Sequence, residues 1–191
     1  MCGIIALFGE EVELGSYLLS HRGPDDYRTR NLGKCRMDFY RLAINDLTDA
    51  GMQPFVEKKG MLVCNGEIYN HRDFRIGDEK STSDCEVLIP MIQSYGIMKT
   101  VEMINGDFAF VYTDGKRIMA ARDPVGVRPL FYTRYDDNSI AFASEMKALL
   151  SFGTDIHIFP PGHIYDSYIN DFVCYHKGYW NVNKYVKTQV T

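Results

Sequence analysis

The sequence has no long apolar run: its longest stretches, such as residues 4–8, fall far short of the roughly 18 residues that a membrane span needs. It also has no basic N-terminal stretch followed by an apolar segment, which argues against a signal peptide. The formal net charge is −4 with acidic and basic residues interleaved, so no basic stripe indicates binding to nucleic acid. These absences predict a cytoplasmic protein that binds neither membranes nor nucleic acids.

Cysteine is scarce, and its spacing shows no pairing. The five cysteines are an odd number, and they lack the spacing of metal-ligand pairs. They indicate the free thiols of a cytosolic protein rather than a disulfide framework, and we expect neither a metal site nor a cofactor. Four of them are expected to be inert packing residues: Cys35, Cys64, Cys85 and Cys174.

The length of 191 residues is typical of one domain that can bury a core without disulfides or metal. Short segments rich in Val, Ile, Phe and Tyr, separated by turn residues, predict nine strands. These strands are expected at residues 3–9, 36–44, 61–65, 107–113, 117–121, 129–135, 139–144, 163–168 and 172–176.

Helical patterns are fewer and lie in the first half of the chain. Residues 11–20 and 97–104 predict short helices. Ser83 and Glu86 have the spacing of a capping box before another helical segment, in which Pro90 predicts a kink or a displaced helix start. Strands and helices that segregate in this way favour an α+β fold. We assign one domain to residues 1–180 and a tail, or the start of a linker, to residues 181–191.

Cys2 directly follows the initiator methionine. Removal of Met1 would leave a thiol and an α-amine on the same residue, and that amine can act as the base for the thiol. Its pKa of about 7.7–8.0 suits proton transfer near neutral pH. Taken alone, however, a small buried residue at the start of a strand explains Cys2 more simply.

Asn65 and Gly66 follow a predicted strand and are expected at its end. A side-chain amide beside a flexible backbone N–H can form a two-donor oxyanion hole for attack on an amide. Considered alone, the pair indicates instead a type I′ hairpin turn, for which Asn-Gly is the strongest short signal.

Arg41 and Asp84 carry the two charges that an α-amino acid needs from its binding site. A guanidinium binds a carboxylate through two hydrogen bonds, and a carboxylate binds an ammonium group. The alternatives are an exposed strand residue for Arg41 and a helix first-turn residue for Asp84.

Together these segments closely resemble the glutaminase domain of asparagine synthetase, a class II glutamine amidotransferase. The resemblance runs in the family's order from residue 1 to about residue 180. It rests on Met1-Cys2-Gly3-Ile4, residues 21–25, 41–44, 53–54, Asn65-Gly66-Glu67-Ile68-Tyr69-Asn70-His71, Ser83-Asp84-Cys85-Glu86, and residues 106–110, 122–130, 143–149 and 161–162.

The resemblance implies roles for eight residues. Cys2 would be the nucleophile once Met1 is removed, and Asn65 with the Gly66 N–H would form the oxyanion hole. Arg41 would hold the carboxylate of L-glutamine, and the substrate ammonium group would be held by Asp84 and Glu67. The pocket would also be lined by backbone groups around Leu42 and Ile44.

The resemblance also implies the fold, which is an N-terminal-nucleophile hydrolase sandwich of two antiparallel sheets between helical layers. Residues 21–25 would pack near the glutamine pocket or form a turn fixed by glycine and proline. Residues 122–130 would be structural, with Arg122 and Asp123 able to pair.

The sequence departs from the family because the Ser-Gly-Gly-x-Asp-Ser phosphate loop of the synthetase domain is missing. We therefore expect ammonia to be accepted by a separate synthetase domain or subunit. Two other functions stay open: a non-catalytic glutamine-binding or assembly module, and a hydrolase of another amide. The Arg41 and Asp84 pair disfavours the latter because together they match an α-amino acid.

Overall fold

The computed structural model describes residues 1–9, 18–57, 60–75, 77, 80–135 and 139–177, and in them it places twelve strands. The strands are β1 Gly3–Phe8, β2 Asp26–Leu32, β3 Cys35–Arg41, β4 Phe55–Glu57, β5 Gly60–Ile68, β6 Gly106–Thr113, β7 Ile118–Arg122, β8 Phe131–Tyr135, β9 Ser139–Ala143, β10 Ile156–Ile158, β11 His163–Asp166 and β12 Asp171–Cys174.

The strands form two six-stranded sheets in which all neighbours run antiparallel. The first sheet has the order β10-β8-β9-β1-β3-β2, and the second has the order β12-β11-β7-β6-β5-β4. Central strands such as β1 and β9 are buried along their whole length. Strands buried on both faces are continuously apolar, which is why they are visible in the sequence.

Three apolar clusters define the layers. One lies between the sheets and joins β1 residues such as Ile4 to β5 residues such as Val63. A second lies under the helix α1, Leu88–Met103, on the outer face of the second sheet. The third covers the outer face of the first sheet with Leu19 and the 3-10 helix Met146–Leu149. This four-layer arrangement confirms the predicted α+β sandwich.

All nine predicted strands are present, but β2, β4 and β10 were missed. Each of the three lies at an edge of its sheet. Strand β2 is polar and largely exposed, and β4 and β10 are only three residues long. An edge strand carries little of the buried apolar alternation from which strands are predicted.

The helical predictions fared unevenly. A 3-10 helix, Asp84–Val87, precedes α1, and the predicted capping box is wrong because the Ser83 side chain makes no cap hydrogen bond. The Glu86 carboxylate instead accepts hydrogen bonds from the N–H and hydroxyl of Ser81. Helix α1 begins at Leu88, so Pro90 lies in its first turn, and the displaced helix start is confirmed.

The predicted helix at residues 97–104 forms the second part of α1, which is broken at Gly96. Most of the helix predicted at residues 11–20 lies outside the described residues. Only residues 18–20 of that segment are described, and they form a turn. The predicted tail at residues 181–191 lies outside them entirely. No helix in the described ranges is long and apolar enough to cross a membrane.

Candidate active site

Seven of the eight residues predicted from the sequence line a single pocket. It lies between the start of β1 and the part of β5 that extends beyond its pairing with β4. They come from four separate stretches of the chain: Cys2, Arg41, Leu42, Ile44, Gly66, Glu67 and Asp84. The eighth residue, Asn65, lies on β5 between two residues that line the same pocket, Cys64 and Gly66. The fold thus brings the predicted site together.

The Cys2 thiol is held by the backbone of Leu42. The Leu42 N–H donates to Sγ at 3.4 Å, and the thiol donates to the Leu42 carbonyl at 3.5 Å. Burial raises the pKa of the Cys2 thiol, and this effect outweighs the opposing Leu42 N–H and the nearby positive charges. The thiol is therefore protonated at neutral pH and needs a base before it can attack.

The loop at residues 21–25 packs against Cys2. Packing near the pocket was one of the two alternatives that the sequence left open for this loop. Arg22 Nε donates to the Cys2 carbonyl at 3.1 Å, and the Ala43 N–H donates to the Asp25 carboxylate at 2.8 Å. Gly23 is required here because a Cβ would lie 2.1 Å from the Tyr40 carbonyl oxygen. The loop therefore ties Cys2 to the segment that follows β3.

Arg41 is the last residue of β3, and it is buried at the pocket. Its two terminal nitrogens donate to the backbone carbonyls of Asp46 and Thr48. A guanidinium has five N–H donors, so others stay available for a carboxylate. The expectation that Arg41 is an exposed strand residue is therefore excluded.

Asp84 also lines the pocket and is buried. Its Oδ2 accepts the Ile68 N–H at 2.6 Å, and its Oδ1 accepts the Asn45 amide at 3.1 Å. Each carboxylate oxygen can accept a further hydrogen bond, so the group can still face an ammonium ion. The side chain thus has two structural partners and further acceptor capacity at the pocket.

Asn65 and Gly66 lie inside β5, which continues to Ile68. The expected strand end and the alternative hairpin turn are both wrong, because residues 61–68 of β5 pair continuously with β6 and the chain does not turn at Asn65-Gly66. Asn65 is only 2% exposed, and its Nδ2 has no hydrogen-bond partner. A buried donor without an acceptor is unusual and indicates a site for a ligand oxygen.

The pocket mouth is more open. Ile44 is 63% exposed and Glu67 is partly buried, and both line the pocket. The sequence predicted no role in the pocket for the other lining residues, which are Phe39, Ala43, Asn45, Asp46, Gly51, Gln53, Cys64, Ser83 and Cys85. Gln53 belonged to a matching motif, but nothing in its sequence context indicated its contacts.

All five cysteines are free, as expected. Cys35, Cys64 and Cys85 are buried in the apolar clusters as predicted, and Cys64 and Cys85 also line the pocket. Cys174 is exposed, so its assignment as a packing residue is wrong. It is the last residue of β12, an edge strand whose two end residues are exposed.

Residues 122–130 are structural, but the predicted partners are different. Arg122 donates to the carbonyls of Gly126, Arg128 and Phe159. The Asp123 carboxylate accepts the N–H groups of residues 125–128. The two side chains therefore each fix the loop backbone, and neither needs the other as its hydrogen-bond partner.

Comparison with known proteins agrees with this geometry. A family model described as a glutamine amidotransferase domain matches residues 1–172. A glutamine-hydrolyzing asparagine synthetase of Oryza sativa subsp. japonica is 39% identical over 183 residues, which cover 87% of this chain and 31% of that protein. The corresponding protein of Gallus gallus is 39% identical over 185 residues, covering 85% and 33%. The chain spans about a third of the length of these relatives.

A solved structure has the same fold. Glutamine phosphoribosylpyrophosphate amidotransferase from B. subtilis matches with a TM-score of 0.77 at 21% identity, covering 93% of this chain and 50% of that one. The family model extends over most of the chain and starts at the residue before Cys2. The chain therefore belongs to the class II glutamine amidotransferase family.

Proposed function

We propose that this chain hydrolyses L-glutamine to glutamate and ammonia through a γ-glutamyl thioester on Cys2. The observation that carries the proposal is that one pocket joins the Cys2 thiol to a guanidinium and a carboxylate, those of Arg41 and Asp84. A nucleophile within reach of both charges of an α-amino acid suits attack on that amino acid's side chain.

The first step needs a base, because burial keeps the Cys2 thiol protonated. After removal of Met1, the α-amine of Cys2 takes the thiol proton, and the sulfur attacks the δ-carbon of glutamine. The amide carbonyl oxygen then becomes a negatively charged oxygen on a tetrahedral carbon. This charge is the feature that the site must stabilise.

The oxyanion is stabilised by two donors on β5, namely the unpartnered Asn65 Nδ2 and the Gly66 N–H. Collapse of the intermediate breaks the C–N bond, and the protonated α-amine gives its proton to the departing nitrogen, which leaves as ammonia. Water then attacks the thioester with the same amine as base, releasing glutamate and restoring the thiol.

The substrate is recognised by charged side chains of both signs that line the pocket. Arg41 binds the α-carboxylate with the donors that its backbone contacts leave available. Asp84 and Glu67 bind the α-ammonium group, and the backbone around Leu42 and Ile44 lines the remaining surface. The pocket thereby selects an α-amino acid by both of its charges.

The ammonia needs an acceptor, and the curated relatives are asparagine synthetases of which this chain spans about a third. We propose that ammonia passes to a synthetase domain or subunit that activates the acceptor. We further propose a cytoplasmic location, where free thiols stay reduced.

The test combines intact mass with ammonia and glutamate release from glutamine, comparing the natural chain with Cys2→Ala and with Cys174→Ala. Cys174 is exposed on β12 and serves as the matched control. We expect a chain without Met1, equimolar release of the two products, no release by Cys2→Ala and unchanged release by Cys174→Ala.

Calorimetric titration with glutamine separates the alternatives. A Met1-free chain that binds glutamine without releasing ammonia would contradict the proposal and identify a binding module. Release from asparagine or simple amides at rates similar to glutamine would instead indicate a hydrolase of broader specificity.

A further inference from the structure

Strand β5 extends beyond the end of its neighbour β4. Pairing between the two covers only residues 55–57 and 60–62, whereas β5 continues to Ile68. Beyond Leu62, the side of β5 that faces away from β6 therefore has no strand beside it in the described part of the chain. An unpaired backbone edge is free to shift unless something else satisfies its N–H and C=O groups.

Side chains take the place of the missing strand. In an antiparallel pair, successive residues direct their N–H and C=O groups to opposite sides. The backbone N–H and C=O groups of residues 64, 66 and 68 point away from β6. This follows because the Cys64 and Ile68 N–H groups donate to side chains on the side of β5 that has no neighbouring strand. The Gly66 carbonyl points the same way and accepts the Cys85 thiol at 3.7 Å.

Gln53 makes two hydrogen bonds to this edge of β5. Its Oε1 accepts the Cys64 N–H at 2.6 Å, and its Nε2 donates to the Cys64 carbonyl at 3.2 Å. One amide side chain thus makes both hydrogen bonds that a residue of a neighbouring strand would make. Gln53 is itself buried, so these bonds are not exchanged with water.

The same alternation directs the Gly66 N–H into the pocket. The paired residue on β6, Phe108, sends its carbonyl to the Asp123 N–H and so offers Gly66 no acceptor. The two strands lie so close here that a Cβ added at Gly66 would be 2.3 Å from the Asp107 carbonyl oxygen. The position of the Gly66 donor thus depends on how β5 is held at Cys64.

We infer that Gln53 is a positioning residue that acts as a substitute edge strand, clamping β5 at Cys64 so that Asn65 and the Gly66 N–H stay aimed at the oxyanion. The inference rests on the proposed glutaminase function. It adds a residue of the pocket lining that acts on the chemical step through the two donors.

The experiment compares Gln53→Met, which keeps the volume and removes both hydrogen bonds, with Gln93→Met. Gln93 is exposed on α1, where its amide contacts the Glu57 carbonyl at 3.5 Å and the Tyr112 side chain, and it does not line the pocket. The readouts are kcat and KM for ammonia release, the rate of Cys2 alkylation by iodoacetamide, and hydrogen exchange of the Cys64 amide by NMR.

For Gln53→Met we expect kcat to fall about tenfold or more, since losing an oxyanion donor outright costs about 10²–10³. The KM and the alkylation rate stay near those of the natural chain, because neither uses the oxyanion hole. Exchange of the Cys64 amide accelerates by about tenfold or more once its acceptor is gone. Gln93→Met changes none of these quantities.

An unchanged kcat or an unchanged Cys64 exchange rate in Gln53→Met would overturn the inference. So would a parallel loss of kcat, alkylation and thermal stability, which would mean a general structural role. Gln53→Ala repeats the comparison if Gln53→Met does not fold. Failure of the proposed function is distinguishable, because it shows in the natural Met1-free chain as absence of ammonia release.

Discussion

Asp84 holds the end of β5 through the Ile68 N–H, and in the proposed function it also binds the ammonium group of glutamine. Asn is nearly isosteric and can keep an oxygen toward Ile68, but it has no charge. We expect Asp84→Asn to raise the KM for glutamine about tenfold to a hundredfold, since a charge-assisted hydrogen bond contributes about 1.5–3 kcal/mol. Steady-state ammonia release measures the effect.

The matched control for that change is Asp155→Asn, because the Asp155 side chain is 88% exposed and far from the pocket residues in sequence. Its KM should equal that of the natural chain. A fall in kcat at constant KM for Asp84→Asn would place the carboxylate in the chemical step and remove it from substrate binding.

Asp46 stabilises the segment after Arg41, and its contribution depends on pH. Hydrogen bonds from the hydroxyl and N–H of Thr48, and from the N–H of Thr82, lower the pKa of Asp46 to about 2. The pKa in the unfolded chain is about 3.9, so the contribution is complete above that value and is lost as pH falls toward 2.

We expect the natural chain to lose about 2 kcal/mol more unfolding free energy than Asp46→Asn between about pH 5 and pH 2, the value that linkage gives for this shift. Urea unfolding at several pH values measures both slopes. Identical slopes in the two proteins would show that Asp46 has the same pKa folded and unfolded.

At the scale of single residues, the sequence predicted residues that the fold brings into one pocket, but not the residues that support them. Cys2, Arg41 and Asp84 were predicted because their functional groups match a known motif. The supporting residues Asp46 and Gln53 act through backbone groups of other segments, at positions that only the folded chain defines. Their contacts leave no periodic signal in the sequence.

Among the elements, helix α1 has a sharp break at Gly96. This residue has a φ of +77° and a ψ of 160°, and an added Cβ would meet no atom within 4 Å. A substitution there tests backbone strain without a clash. We expect Gly96→Ala to destabilise the protein by about 1–3 kcal/mol, because an L-residue with a side chain rarely adopts this conformation.

Urea unfolding followed by circular dichroism measures this cost, with Ser94→Ala as the control. Ser94 is an exposed residue of the same helix, and its change should stay within about 0.5 kcal/mol of the natural chain. Gly96→Ala at natural stability or above would indicate that α1 can become one continuous helix.

The strands also show which secondary-structure elements an apolar sequence pattern can predict. Central strands such as β1 and β6 were predicted because burial on both sides makes them apolar. The missed edge strand β2 is recruited by pairing with β3 along its whole length, and its exposed side chains carry no such signal. Backbone pairing, unlike burial, is not encoded in side-chain type.

For the whole molecule, the important fact is that the candidate site is shared between the two sheets. Cys2 directly precedes β1 in the first sheet, and Gly66 belongs to β5 in the second. Motif matching could predict both residues. It could not predict the packing that sets their separation, since that depends on many side chains between the sheets.

An aromatic cluster makes this packing. Phe142 of β9 lies 5.5 Å from the Tyr165 ring of β11 and 6.0 Å from the Phe159 ring, measured between centroids. Phe142 is fully buried. We expect Phe142→Ala to lower the unfolding free energy by about 3–5 kcal/mol through lost burial and the cavity left behind.

The same change should move activity and folding together, because the nucleophile and the oxyanion donors come from different sheets. Urea titrations monitored by circular dichroism and by ammonia release should give coincident midpoints in the natural chain, both shifted equally in Phe142→Ala. Phe131→Ala, on the outer face of the first sheet, is the control for losing an aromatic side chain without opening the space between the sheets. Activity that disappears well below the unfolding midpoint only in Phe142→Ala would mean that the sheets shift apart at the site before they unfold. Activity that survives beyond that midpoint would contradict a site shared between the sheets.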